Sequence, residues 1–220
     1  MISKLISRAI GSLRVSVREK LNPYFAPYRI KKLNAQKVPF TIISNNCWAG
    51  HVYRYFGLPY CTPTIGLFFF SRDYVKFVYN IKLYLEKELV FISIDQSKYK
   101  ETLRAYGGEC LTCPIAVLGD IEIVFLHYKT ESEAREKWNR RKERMNWDHI
   151  IYKMSEMNNC SIEDMTMFDN LNAKKKILFT SKDYNLKNQI VIPEYKDTGF
   201  IADDTTNFRK YINLTTIINS

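Results

Sequence analysis

No apolar run in this chain reaches the ~18–20 residues that a helix needs to cross a bilayer. The longest, Ile65 to Phe70, is strand-sized. Eight glycines and seven prolines are modest for 220 residues. No Walker loop, Gly-x-Gly-x-x-Gly, Gly-x-Ser-x-Gly or His-Glu-x-x-His occurs, nor the Asp-x-Asp that many nucleotide-sugar glycosyltransferases use to hold a metal. Histidine is scarce, at three residues. The five cysteines (47, 61, 110, 113 and 160) are odd in number and lack a small-scaffold spacing, which favours a reduced, cytoplasmic protein. Cys110-Leu-Thr-Cys113 has the spacing of half a zinc site, but no second pair follows it, so neither a metal nor a cofactor is expected. The basic N-terminus has no continuous apolar core and no small-residue cleavage site, so no signal peptide is expected.

Apolar residues make up 46% of the chain and aromatics 14%, which suits a folded core rather than disorder. The length fits one domain with an appendage. The net charge of +10 is concentrated at one end. Residues 1–37 hold nine basic groups and one acid, a net +8, and the remaining residues are close to neutral. The chain therefore divides into a basic arm, 1–37, and a single domain, 38–220.

The arm has helical periodicity. At about 100° per residue, Ile2, Leu5, Ile6, Ala9, Ile10, Leu13, Val17 and Leu21 share one arc and Lys4, Arg8, Arg14 and Arg18 the opposite one. Asn22-Pro23 is expected to end this helix. Three fates compete: packing on its own domain, lying on an anionic membrane surface with Tyr24, Phe25 and Tyr28 as interfacial anchors, or binding nucleic acid. The last is disfavoured, because the main domain offers no matching basic patch or stacking motif. A membrane role would place the protein on the inner face of the cell membrane.

Beyond Pro39, strands and helices alternate. Strands are expected at Phe40–Ser44, Ile65–Phe70 (buried on both faces and central), Leu89–Ile94, Ile115–Leu118, Ile121–Leu126, Lys176–Thr180 and Gln189–Ile192. Helices are expected at Trp48–Phe56, closed by Gly57, and at Arg72–Glu88, capped by Ser71. Further helices are expected at Glu131–Met145, capped by Thr130, at Ile162–Phe168, capped by Ser161, and at Asn207–Ile218. Ser97–Gly108 reads as an edge strand or loop, and Trp147–Met154 as a strand or helical turn. The pattern predicts a layered α/β domain with a mainly parallel or mixed central sheet flanked by helices, plus the N-terminal amphipathic helix.

Phe40-Thr-Ile-Ile-Ser-Asn-Asn-Cys47-Trp-Ala-Gly-His51 is the most informative stretch. A buried strand ends at Asn45 and Asn46, and a thiol follows at the first turn of a helix, where dipole and free N–H groups favour thiolate. His51, four residues on, shares the helix face with Cys47. His127 ends a strand, where active-site residues of α/β folds collect. Cys47 then reads as a nucleophile, with His127 or His51 as its base and Asn45, Asn46 and helix N–H groups holding an oxyanion. Asp120 is a doubtful third member, being at the far end of its strand from His127. The competing readings are Cys47 as a small buried residue, the commoner fate of such a cysteine, and the junction as an anion site that does not need the thiol.

Trp138-Asn-Arg-Arg141-Lys-Glu-Arg144-Met-Asn-Trp147-Asp148 is the second stretch. Trp138 and Arg141 share a helix face, and tryptophan beside arginine suits a sugar ring and a phosphate. Arg144, Trp147 and Trp48 complete the substrate-binding candidates. The plainer reading is a solvated helix anchored to the core by its tryptophans.

These two stretches, together with Gly-Leu-Pro-Tyr (57–60), Thr-Pro-Thr-Ile-Gly-Leu (62–67), Asp-Tyr-Val-Lys-Phe (73–77) and Asp-Ile-Glu-Ile-Val-Phe-Leu-His-Tyr (120–128), resemble a bacterial family of domains of unknown function often labelled exopolysaccharide or capsular polysaccharide biosynthesis protein. The resemblance spans residues 38–215 and departs from the family at Ala49, where Gly is usual. It implies surface-polysaccharide assembly and carries over no catalytic role. The expected function is a transferase, moving an acyl or related group to a glycan or lipid-linked sugar. A glycosyltransferase using a nucleotide sugar and a non-enzymatic glycan-binding or scaffold protein are the alternatives.

Overall fold

Thr41–Ser44, apolar or small at every position, forms β1 with all four residues buried. It is an edge strand of a four-stranded parallel sheet in the order β1-β5-β6-β7, with β5 at Ile150–Ser155, β6 at Lys175–Thr180 and β7 at Gln189–Val191. A second, antiparallel sheet holds β2 (Val90–Ile92), β3 (Ile115–Leu118) and β4 (Ile121–Val124). The computed structural model describes residues 20–33, 39–206 and 208–220.

Both faces of the parallel sheet are covered, as its two-residue side-chain alternation requires. Ile42, Ile151, Ile177 and Phe179 point to one core with Trp48, Tyr53 and Phe56 of α2 (Trp48–Phe56) and with the C-terminal segment. Ile43, Met154 and Leu178 point to the other. That second core is built by α3 (Ser71–Tyr79), α4 (Ile81–Glu86), α6 (Glu131–Lys142), α7 (Ile162–Asp169) and one face of the small sheet. The result is the mixed, layered α/β architecture that the alternating pattern predicts.

Several elements differ from expectation. Ile65–Phe70 is not a strand. Phe68 bridges Val124 of β4, and the next N–H, of Phe69, donates to Asn45 O at 3.0 Å. The segment is buried on both sides because it wedges between the two sheets and bonds to each in turn. The expected long helix over 72–88 breaks at Asn80 (φ −131°, ψ 39°) into α3 and α4, at a residue whose side chain competes with helical backbone bonding. Ser71 is the first helical residue rather than a cap, since its hydroxyl donates to Met157 O at 2.7 Å. Residues 97–108 contain α5 (Lys100–Tyr106), held by buried Leu103 and by Tyr99 stacked on Phe70. The final helix is only α8 (Leu214–Asn219), capped by Asn213, with a single 3₁₀ turn at Phe208–Lys210.

Residues 20–30 form α1, which runs through Asn22-Pro23 instead of stopping there. Asn22, Ala26 and Arg29 recur at helical spacing and hold the helix on the end of α2. Asn22 donates to Arg54 O (2.6 Å) and Arg29 to Tyr55 O (2.9 Å). Gly57, in the left-handed region at φ 65°, closes α2; a Cβ there would sit 2.9 Å from that of Ala26. The amphipathic pattern of residues 2–18 lies outside the described residues. α1 itself exposes Leu21, Tyr24, Phe25 and Tyr28.

Candidate functional site

The end of β1 is knotted to its neighbour by the two asparagines. Asn45 accepts from Ser155 N (3.1 Å) and donates to Ser155 O (3.0 Å), tying β1 to β5. Asn46 accepts from Trp48 N (3.2 Å) and donates to Asp204 (2.9 Å). Ser44 Oγ accepts from Ala49 N at 3.4 Å, and Gly50 N donates to Cys47 O at 3.1 Å. The N–H groups that open α2 are therefore satisfied internally. An anion or oxyanion site built from Asn45, Asn46 and these N–H groups, as expected from sequence, is not present: both side chains are buried and already bonded.

Beneath the junction lies a buried ion pair that sequence reading missed. The Lys153 ammonium, with no exposed surface, contacts Asp204 and donates to Asn46 Oδ1 at 2.9 Å. Ser155 Oγ donates to Asp204 at 2.5 Å. Burial lowers the Lys153 pKa, and Asp204 opposes that shift. A lysine in the middle of an otherwise apolar strand, Ile-Ile-Tyr-Lys-Met, was the available signal.

Above the junction is a cavity of about 420 Å³ walled by Cys47, Gly50, His51, Arg54, Tyr60, Ile65, Gly66, His127, Tyr128, Lys137 and Arg141. Four of the sequence candidates, Cys47, His51, His127 and Arg141, thus meet in one place. Gly66 permits the close wall: at φ 70° it accepts from His127 N (2.9 Å), and a Cβ would press on the Tyr128 ring at 3.1 Å. Arg141 comes from the last turn of α6, whose N-terminus is capped by Thr130. Although arginine, it is buried; it donates to the Tyr128 hydroxyl at 2.5 Å and lies over the Tyr60 ring at 5.0 Å. Lys137, one turn earlier, pairs with Glu133 at 2.5 Å. The acid facing His127 is Glu109, 3.3 Å from Nδ1, and not Asp120.

Cys47 does not hold a resting thiolate. Burial pushes its thiol up to about 11, the Asp204 charge adds to this, and Lys153 and Arg54 oppose it. The dipole effect expected from sequence is outweighed because the N–H groups are already bonded and the sulfur is desolvated. Its hydrogen-bond contact is the Leu67 carbonyl at 3.7 Å.

The remaining candidates lie elsewhere. Asp120 pairs with Lys76 (2.7 Å) and accepts from Tyr84 (2.6 Å), so its expected place beside Cys47 and His127 is corrected. Trp48 and Trp138 are fully buried. The first packs on Phe179 and Phe208 and the second on Phe77 and Phe125, so both are core side chains rather than sugar platforms. Trp147 lines a separate depression with Lys82 and Glu86. Arg144 is exposed and acts electrostatically on Cys61, away from the thiol at 47. Among the described residues no group of three or more His, Cys, Asp or Glu side chains is placed to hold a metal ion, and no helix is long and apolar enough to cross a membrane.

Residues 19–219 match the family described as a domain of unknown function, DUF1919, and the chain belongs to it. It is also similar to a Haemophilus influenzae (strain ATCC 51907 / DSM 11121 / KW20 / Rd) protein named only as uncharacterized. The two are 31% identical over 144 residues, 66% of this chain and 63% of that protein. Neither description mentions a polysaccharide, so the association expected from sequence resemblance is not shared by these matches.

Proposed function

We propose that this protein is a transferase of bacterial surface-polysaccharide assembly, moving an acyl or related group from a phosphorylated donor to a glycan or lipid-linked sugar. One observation carries the transferase reading: a single cavity is walled by a thiol, two imidazoles and three cations, and none of its described lining residues is a carboxylate. The polysaccharide context is supported by the sequence resemblance alone. Arg54, Lys137 and Arg141 attract the donor's phosphates. Because the thiol is protonated at rest, attack is coupled to proton transfer. The Cys47 proton passes to His127 or His51 as sulfur bonds to the acyl carbon and the donor's leaving group departs. The imidazolium gives that proton to the departing group and, neutral again, takes the acceptor hydroxyl's proton. The acceptor oxygen displaces sulfur, and the proton returns to the thiol. Glu109 orients His127 through its Nδ1.

A second reading, glycosyl transfer from a nucleotide sugar, is favoured by the raised Cys47 thiol. The same cations would stabilise a diphosphate leaving group, with Cys47 a bystander. Assaying glycan modification in Cys47→Ala separates the two. Loss of transfer, with Cys47→Ser also inactive, supports the thiol mechanism; full activity selects the second. The exposed aromatics of α1, beside Lys20, Lys31 and Lys32, support peripheral binding to the inner membrane face. Co-sedimentation of the full chain with anionic vesicles, lost in Tyr24→Ser/Phe25→Ser, tests it.

A further inference from the structure

Cys110-Leu-Thr-Cys113 takes no part in the chemistry of the cavity, yet it sits on the turn whose Glu109 faces His127. Gly108–Leu111 wind as a 3₁₀ turn, and the Cys113 N–H donates to Glu109 O at 2.9 Å. Side chains three apart in such a turn stand on one side of it. Both cysteines accordingly pack into one apolar cluster with Phe68, Phe70 and Leu103, Cys110 buried and Cys113 half-buried. Burial first, and proximity to Cys110 second, push the Cys113 thiol up to about 12. Positions three apart on a helical turn have Cβ atoms about 5–6 Å apart. A disulfide wants about 3.5–4.5 Å, so closing one asks the turn to tighten by an ångström or two. The turn hangs from Gly107 and Gly108, both at positive φ (65° and 54°), with open space where a side chain would stand. That hinge can absorb so small a shift.

We infer that Cys110 and Cys113 form a dithiol site that a small-molecule disulfide oxidises to an intramolecular disulfide, and that the oxidation loosens the hold of Glu109 on His127. The half-exposed Cys113 thiolate attacks one sulfur of the small disulfide. A mixed disulfide forms and the first small thiol leaves, taking up the proton that Cys113 lost. Cys110 then gives up its proton and attacks the Cys113 sulfur, and the second small thiol departs with that proton. Two protein thiols are oxidised by two electrons, and one small disulfide is reduced to two thiols. Glu109 belongs to the turn that tightens, and its carboxylate lies 3.3 Å from His127 Nδ1. Oxidation therefore acts on the orientation of an imidazole in the cavity wall. The dithiol rests on this geometry alone. Its effect on transfer rests on the proposed transferase reading, in which His127 moves a proton.

Incubating the reduced full chain with oxidised glutathione near about pH 8.5, where ordinary thiols ionise, tests the site. The expected product is two hydrogens lighter. Both cysteines fall in one tryptic peptide, 105–129, so mass spectrometry places the bond directly. In Cys110→Ser the resolving thiol is gone, and Cys113 should instead keep one glutathione. A parent chain in which both thiols stay free, or in which Cys113 keeps glutathione beside an unreacted Cys110, overturns the dithiol. The coupling is read by NMR. The His127 imidazole resonances should shift on oxidation of the parent and stay in place in Cys110→Ser/Cys113→Ser given the same treatment. Those of His149, just before the start of β5, are the internal control. An unmoved His127 in the oxidised parent overturns the link through Glu109. Transfer by the oxidised form should fall as in Glu109→Gln and recover with dithiothreitol. A chain that oxidises and shifts His127 but transfers nothing in either state would reject the transferase reading and leave the dithiol standing.

Discussion

The Lys153 ammonium lies 2.9 Å from the side-chain oxygen of Asn46, which places a buried cation directly under the strand–helix junction that carries Cys47. The pair it forms with Asp204 has no exposed side-chain surface. Removing one member leaves the other charged and desolvated. Asp204→Leu should therefore cost about 3–5 kcal/mol, whereas the double change Lys153→Met/Asp204→Leu should cost much less. Urea denaturation of the three proteins measures both. Equal losses in single and double variants would mean that the pair contributes only packing.

Cys47 is predicted to react slowly with iodoacetamide near pH 7. Because its thiol is pushed up to about 11, the alkylation rate should rise close to tenfold per pH unit from 7 to 10. Asp204 contributes to that shift, so Asp204→Asn should speed labelling wherever the variant remains folded. Mass spectrometry of the labelled peptides reads the rate at each cysteine. A plateau at neutral pH would contradict the desolvated thiol.

Asp120→Asn is predicted to leave transfer activity unchanged, since Asp120 partners Lys76 and Tyr84 rather than the cavity. Its carboxyl is held down at about 2 by the Lys76 hydrogen bond first and the Tyr84 hydrogen bond second. A depressed carboxylate stabilises the fold above its unfolded pKa, about 3.9, and loses that contribution as pH falls toward 2. The site is largely exposed, so the stability at stake is under about 1 kcal/mol. Melting curves of parent and variant should differ at pH 7, draw together by pH 2.5 and meet only below about pH 2.

Gly57→Ala should destabilise the protein by at least about 1 kcal/mol, because φ is positive and the new methyl would meet Ala26. The double variant Gly57→Ala/Ala26→Gly should recover the steric part but not the backbone part. Full recovery would show that the left-handed conformation itself costs nothing here.

His127→Ala is predicted to lower transfer about 10²–10⁴-fold if His127 is the base. Glu109→Gln, which leaves the imidazole but weakens its orientation, should give a smaller loss with little change in KM. Steady-state kinetics on both variants decides whether His127 or His51 moves the proton.

Much of the fold was legible because periodicity reports burial. The hairpin of β3 and β4, the capped helices α6 and α7 and the late parallel strands all follow from local pattern and capping chemistry. The wedge at 65–70 was not, because an apolar run says that a segment is buried but not what pairs with it. At the site, Cys47, His51, His127 and Arg141 were found by position on strand ends and helix faces. Lys153 and Asp204 were not, since their partnership spans about 50 residues and no spacing rule connects them. The tryptophans misled for a related reason: a large amphipathic ring suits a sugar or a core equally well, and only burial separates the two.

The register that joins Thr41 to Ile150 has a consequence for how the chain is made. β1 leaves the ribosome with its hydrogen-bonding edge bare, and its partner follows roughly 100 residues later, or about 5–20 s at ordinary elongation rates. During that interval Phe-Thr-Ile-Ile is an unpaired apolar strand. The small antiparallel sheet, built from strands close in sequence, is complete first. Its early closure, with the 65–70 wedge already able to bond Asn45, offers the waiting strand a temporary berth before β5 arrives.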